Sequence, residues 1–161
     1  MYDRCIKLLK ERGVEISDIV DCVFYLQKDH ITSQNEAQIS DVVLQVIEKR
    51  EVQHAIITGI CLDMMSEKHM LIDKDLEDIL NRDEGLYGID EVLAYGICNL
   101  YGSIALTNFG YIDKAKYGII KELNDHKDNK QACHTFLDDI VGAIAASAAS
   151  KIAHNQKQEQ E

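Results

Sequence analysis

The stretch IDEVLAYGICNLYGSI, Ile89 to Ile104, is the one whose reading decides the fold. Val92, Leu93, Tyr95, Ile97, Leu100 and Tyr101 run around most of a helical circumference, and charge stands only at its start, in Asp90 and Glu91. A helix that is apolar on every side belongs in the interior, covered by other helices. We therefore expect an all-α fold, a helical bundle with one central buried helix surrounded by others, and residues 89–104 are the expected centre.

Helical periodicity continues on both sides. Cys5, Ile6, Leu8 and Leu9 mark a short first helix that Gly13 can end. Ser17 is a good N-cap for a second, with Ile19, Val20, Val23, Phe24 and Gln27 on one face. Ser33 and Glu36 form a capping box for a third, striped by Ile39, Val42, Val43, Val46 and Ile47. A fourth runs from about Val52 to Met64, and Asp73 caps a fifth through Leu76, Ile79 and Leu80. Beyond the central stretch we expect a polar turn at Thr107–Tyr111, a helix from about Asp113 to Leu123, and a last helix from near Asp128 to about His154. In that last helix Gly142 to Ser150 (GAIAASAAS) forms a small-residue face that lets neighbouring backbones approach. Residues 1–154 read as one all-α domain and 155–161 as a polar tail.

Composition supports this and excludes other classes. The 161 residues contain no Pro, so little interrupts a helix. Lys plus Arg is 17 against 28 Asp plus Glu, a net charge of −11 that repels nucleic-acid phosphates. It does not exclude a phosphate substrate, because a divalent cation held by carboxylates inverts the local sign. Cys5, Cys22, Cys61, Cys98 and Cys133 are odd in number, form no CxxC pair and lie in apolar stretches. They read as reduced buried thiols of a cytoplasmic protein. No uncharged run approaches the roughly 20 apolar residues of a membrane span.

Chemistry in a bundle requires polar groups that point inward. Asp138 and Asp139 lie between Phe136-Leu137 and Ile140-Val141-Gly142, so at least one projects beside the small-residue face. A buried carboxylate without compensation is expensive, which calls for a metal or a basic partner; the alternative is one acid capping a neighbouring helix and one in solvent. Asp63 interrupts the apolar run Ile60–Met65 and is either a third inward acid or a solvent-facing residue. Asp90 and Glu91 suit a helix dipole, yet at the start of a central helix they are also candidate ligands. Asp113 and Lys114 follow the Thr107–Tyr111 turn, where helix-start N–H groups, Lys114 and Asn108 can hold a phosphate. The histidines have no tight ligand spacing, and neither a P-loop nor a GxSxG elbow is present.

Two segments, Tyr101-GSIALTNFGYID-Lys114 and Thr135-FLDDIVGAIA-Ala146, resemble the phosphatidylglycerophosphatase A family, and in particular its soluble bacillus-type branch. Asp138, Asp139 and Gly142 match the family's acid-acid-x-x-Gly pattern, and Thr107, Asn108 and Gly110 loosely match its Gly-Thr-x-Gly loop. The resemblance implies a bundle with an enclosed central helix and an Mg²⁺-dependent phosphomonoesterase that converts phosphatidylglycerophosphate to phosphatidylglycerol. On that basis Asp138, Asp139 and Asp113 are the expected catalytic acids, and Asp138, Asp139 and Asp63 the expected metal ligands. Thr107, Asn108 and Lys114 are the expected phosphate-binding residues. The implied partner is a phospholipid headgroup or a phosphorylated small molecule, reached from the cytoplasm with at most peripheral membrane contact; self-association is left open. Two rivals remain. One is an all-α nucleoside-triphosphate pyrophosphohydrolase, for which Glu48 and Glu51 supply an ExxE and Asp75 and Asp78 the later pair. The other is a non-catalytic acidic module that binds a basic partner.

Overall fold

A computed structural model describes residues 1–28, 35–125 and 131–158. Among them are nine helices and no strand: α1 Tyr2–Glu11, α2 Ile16–Gln27, α3 Glu36–Glu48, α4 Arg50–Glu67, α5 Lys74–Asn81, α6 Ile89–Cys98, α7 Ser103–Ala115, α8 Ile119–Asp125 and α9 Leu137–Gln158. The all-α expectation holds, and so does a central enclosed helix, but its identity does not.

The centre is α9. Every residue from Thr135 to Ser150 is buried, and the helix packs against α2, α3, α4, α6, α7 and α8. The expected centre, 89–104, is instead two surface helices: α6 stops at Cys98, and Gly102, at φ +84°, breaks the chain before α7. Ile89, Val92 and Tyr95 of α6 remain 52%, 59% and 44% exposed. The physical reason is volume. A helix touched by six others must let their backbones come close, which Gly142, Ala143, Ala145, Ala146, Ser147, Ala148 and Ala149 permit and the large side chains of 89–104 do not. Gly142 shows the limit, because a Cβ there would meet the Phe109 ring at 3.4 Å. Of the hydroxyls on this helix, Ser150 Oγ donates to the Tyr101 carbonyl at 2.9 Å, while Ser147 Oγ is buried without a hydrogen-bond partner in the protein.

Local signals fare unevenly. Gly13 closes α1 at φ +82°, and Asp73 caps α5 by accepting the Leu76 N–H at 2.9 Å, both as read from sequence. The cap of α2 is Glu15 rather than Ser17, with Asp18 Oδ2 accepting the Glu15 N–H at 2.8 Å. Ser33 lies outside the described residues; α3 is capped by Asn35, whose Oδ1 accepts the Gln38 N–H while Gln38 Oε1 accepts the Asn35 N–H, both at 3.0 Å. Asp128 also lies outside them, but residues 131–136 are not helical and α9 begins at Leu137. At its other end α9 continues to Gln158, into the expected tail.

The expected turn at Thr107–Tyr111 is helix, the middle of α7. Ala105, Phe109 and Ile112 share its buried face, and Thr107 Oγ1 donates back to the Ser103 carbonyl at 2.9 Å. Burial of Phe109 and Ile112 outweighs the roughly 1 kcal/mol that Gly110 costs inside a helix.

Candidate functional site

Three helix ends meet around the start of α9. Its first turn carries Asp138 and Asp139, both buried. The first turn of α6, entered through Gly88 at φ +69°, brings Asp90 and Glu91. The last turn of α7 brings Asp113 and, at its C-cap, Lys116 in the left-handed conformation.

The acids divide into two sets. Asp90, Glu91 and Asp139 each offer an oxygen within 4.8 Å of the other two, the one group of potential metal ligands among the described residues. Asp90 Oδ1 and Glu91 Oε2 are buried without a hydrogen-bond partner in the protein. Such oxygens are costly unless something else satisfies them. Burial, then the Asp138, Asp113 and Asp90 carboxylates, raise the Asp139 pKa to about 9. Burial, then Glu91, raise Asp90 to about 8. All the donors are hard oxygens, the chemistry suited to Mg²⁺, so the residues fit such an ion.

Asp138 belongs to the second set. Lys116 Nζ donates to Asp113 Oδ1 at 2.5 Å and to Asp138 Oδ2 at 3.1 Å. Burial pushes the Asp138 pKa up and Lys116 pulls it back, leaving it at about 6. Burial disfavours the Lys116 charge, but Asp138 and Asp113 outweigh it, so its pKa rises. Asp138 Oδ1 also accepts the Asp139 N–H at 3.0 Å. Asp83, itself in the left-handed region at φ +50°, adds negative charge near Asp138.

The expected site residues are therefore regrouped. Asp138, Asp139 and Asp113 do come together, and neither Asp138 nor Asp139 is solvent-facing. Asp63 is not with them. Both its oxygens are taken by the chain entering α9: Oδ1 accepts the Phe136 N–H at 3.1 Å, and Oδ2 accepts the Leu137 N–H at 3.0 Å. Thr107, Asn108 and Lys114 form no loop of free N–H groups, because they lie within α7, and Lys114 is exposed in its last turn rather than its first. The cation beside the acids is Lys116. Its signal in the sequence was the i, i+3 spacing from Asp113, overlooked because a turn was read where α7 runs.

For the pyrophosphohydrolase rival, Glu48 ends α3 and Glu51 opens α4, both exposed, and Asp75 and Asp78 are exposed on α5. These four do not converge on a buried site. All five cysteines are free thiols, and burial raises Cys22, Cys98 and Cys133 to about 12, which keeps these three protonated.

An all-α bundle with a carboxylate cluster at the start of its central helix defines the class, and comparison with known proteins gives the family. Residues 11–154 match the family model described as phosphatidylglycerophosphatase A, and the chain belongs to that family. It is 53% identical over 149 residues to the uncharacterized protein YutG of Bacillus subtilis (strain 168), covering 92% of this chain and 88% of that one. It is 46% identical over 157 residues to YpjQ of the same organism, covering 98% and 86%. Among solved structures, the low temperature requirement C protein from Listeria monocytogenes superposes with TM-score 0.92 at 51% identity, over 97% of this chain and 96% of that one. A protein of unknown function from Bacillus stearothermophilus superposes with TM-score 0.91 at 50% identity, over 96% and 94%. No helix among the described residues is long and apolar enough to cross a membrane.

Proposed function

We propose that this protein is a magnesium-dependent phosphomonoesterase that removes the terminal phosphate of phosphatidylglycerophosphate or a related phosphomonoester. One observation carries the reading: in a chain of this family, two buried carboxylates and a half-buried third converge, two of their oxygens unpartnered, near a lysine. Asp90, Glu91 and Asp139 are the residues to hold the ion. When bound, such an ion offsets phosphate charge and acidifies water.

The remaining residues have roles that follow from their surroundings. Lys116 supplies a positive charge for a phosphate oxygen, and Asp113 keeps its ammonium in place on the site side. Asp138 is the general base. The Lys116 ammonium, 3.1 Å from its Oδ2, favours the ionised carboxylate, the form that takes a proton from an attacking water. Both its oxygens are already bonded, to Lys116 and to the Asp139 N–H, which restrains the carboxylate from attacking phosphorus but leaves lone pairs for a proton. This favours direct attack by water over a phosphoenzyme.

The test is inorganic phosphate release from a phosphomonoester panel that includes phosphatidylglycerophosphate in micelles, each with Mg²⁺ or with chelator. Mg²⁺-dependent phosphate release from at least one member is expected. Release of pyrophosphate from nucleoside triphosphates instead, or no metal-dependent turnover of any member, would overturn the proposal.

A further inference from the structure

Asp63 is fully buried in α4, four residues after Gly59 and four before Glu67. At that spacing the three lie along one stripe of the helix, and each engages the chain at the start of α9. At Gly59 a Cβ would stand 2.4 Å from Ile140 Cδ1 and 2.9 Å from Phe136 Cβ, so only glycine lets α9 come this close. Asp63 takes the Phe136 and Leu137 N–H groups and the Cys133 thiol, at 3.6 Å from Oδ1. Glu67 Oε1 accepts the Cys133 N–H at 2.8 Å and pairs with Arg12. The same guanidinium donates to the Cys133 carbonyl at 2.8 Å. Residues 133–137 are thus gripped at both ends.

We infer that Asp63 is a positioning residue: from α4 it clamps the first N–H groups of α9 and so sets where the Asp138 and Asp139 carboxylates stand. The inference rests on the proposed function. A buried carboxylate with no cation in contact is tolerable only if N–H groups and a helix dipole compensate it. Here the Phe136 and Leu137 N–H groups lead that compensation, with the Cys133 thiol and the Arg12 charge adding to it, so acid and helix start hold one geometry together. Leu137, the last residue gripped, is adjacent to Asp138 and two positions from Asp139. A tilt or fraying of this turn moves Asp139 away from Asp90 and Glu91, which stand on a different helix. Partners that orient ligands in this way are worth roughly 10–100-fold in metal affinity or activity.

The experiment compares wild type, Asp63→Asn, Asp63→Ser and the control Leu9→Ala, which opens a cavity on α1, a helix that carries none of the clustered acids. Asn replaces one acceptor oxygen with a donor facing an N–H, while Ser keeps one short acceptor. Three quantities are measured: the Mg²⁺ Kd by calorimetry, amide exchange at residues 136–140, and kcat and KM. Asp63→Asn should weaken Mg²⁺ by ~10–100-fold, speed Phe136 and Leu137 exchange, and lower kcat more than it raises KM. Leu9→Ala should melt earlier yet keep its Kd within about twofold, as distant sites act independently. If Asp63→Asn does not fold, Asp63→Ser carries the same comparison; failure of both to fold would make Asp63 a folding residue only and overturn the assignment. So would wild-type Mg²⁺ affinity in a folded variant, or an equal loss in Leu9→Ala. If wild type neither binds Mg²⁺ nor releases phosphate, the proposed function falls. In that case faster exchange in the variants reduces Asp63 to a helix cap, and unchanged exchange removes even that.

Discussion

Asp139→Asn should stabilise the metal-free protein while removing its activity. Asp139 has an ordinary carboxyl value of 3.8 and is raised to about 9 in the fold, by burial first and then by Asp138, Asp113 and Asp90. A carboxyl raised in the folded state lends its full stability below the unfolded value, and that stability is lost as pH climbs toward the folded one. At pH 7 roughly three units of the gap have been crossed, and at about 1.4 kcal/mol per unit the ceiling is ~4 kcal/mol. The burden is shared with Asp90, itself raised to about 8, so relieving one partner is expected to recover about half, ~2 kcal/mol. For a chain of this size that is a gain of ~4–8 °C in Tm. The assay is thermal and urea denaturation in chelator at pH 5, 7 and 8, with the wild-type deficit widening as pH rises. Saturating Mg²⁺ should reverse the order. An ion at a hundred times its Kd stabilises wild type by about 2.7 kcal/mol, and the variant has lost a ligand. An Asn variant that melts at or below wild type in chelator at pH 7, or a deficit flat from pH 5 to 8, would refute the claim that these acids are crowded without an ion.

Other outcomes follow from the same geometry. Lys116→Ala should reduce kcat/KM for a phosphomonoester by ~10–150-fold, the equivalent of a charge-assisted contact of about 1.5–3 kcal/mol, while Lys114→Ala stays near wild type; paired steady-state kinetics decide between them. Gly59→Ala gains ~1 kcal/mol of helix propensity but forces apart Phe136 and α4 at a cost of ~2–3 kcal/mol, the upper part of the overpacking range because the clash is with a Cβ, so denaturant melts should show a net loss of about 1–2 kcal/mol. Glu67 is pushed up by burial, but its Arg12 and Cys133 hydrogen bonds more than offset that, leaving its carboxyl below the ordinary 4.5. Its contribution is present above that value and lost as pH falls through the lower folded one, so the stability gap between wild type and Glu67→Gln should close on acidification.

The sequence by itself determined the class of fold and the presence of inward acids. Absence of proline and 3.6-residue periodicity leave few alternatives to a helical bundle, and the apolar flanks of Asp138 and Asp139 require at least one of them to be accounted for inside it. Local chemistry was legible where it is local: Asp73 caps Leu76 three residues away, and Gly13 turns the chain it sits in. Only the tertiary structure decided which helix is central, because periodicity reports how apolar a face is and not which faces meet. Residues 89–104 are the more apolar, but α9 has the small side chains that six neighbours need. Nor does spacing along the chain show that Asp139 meets Asp90 and Glu91, that Lys116 rather than Lys114 turns toward Asp138, or that Asp63 spends both its oxygens on Phe136 and Leu137. Those pairings join helices far apart in sequence, and the packing of backbones sets them.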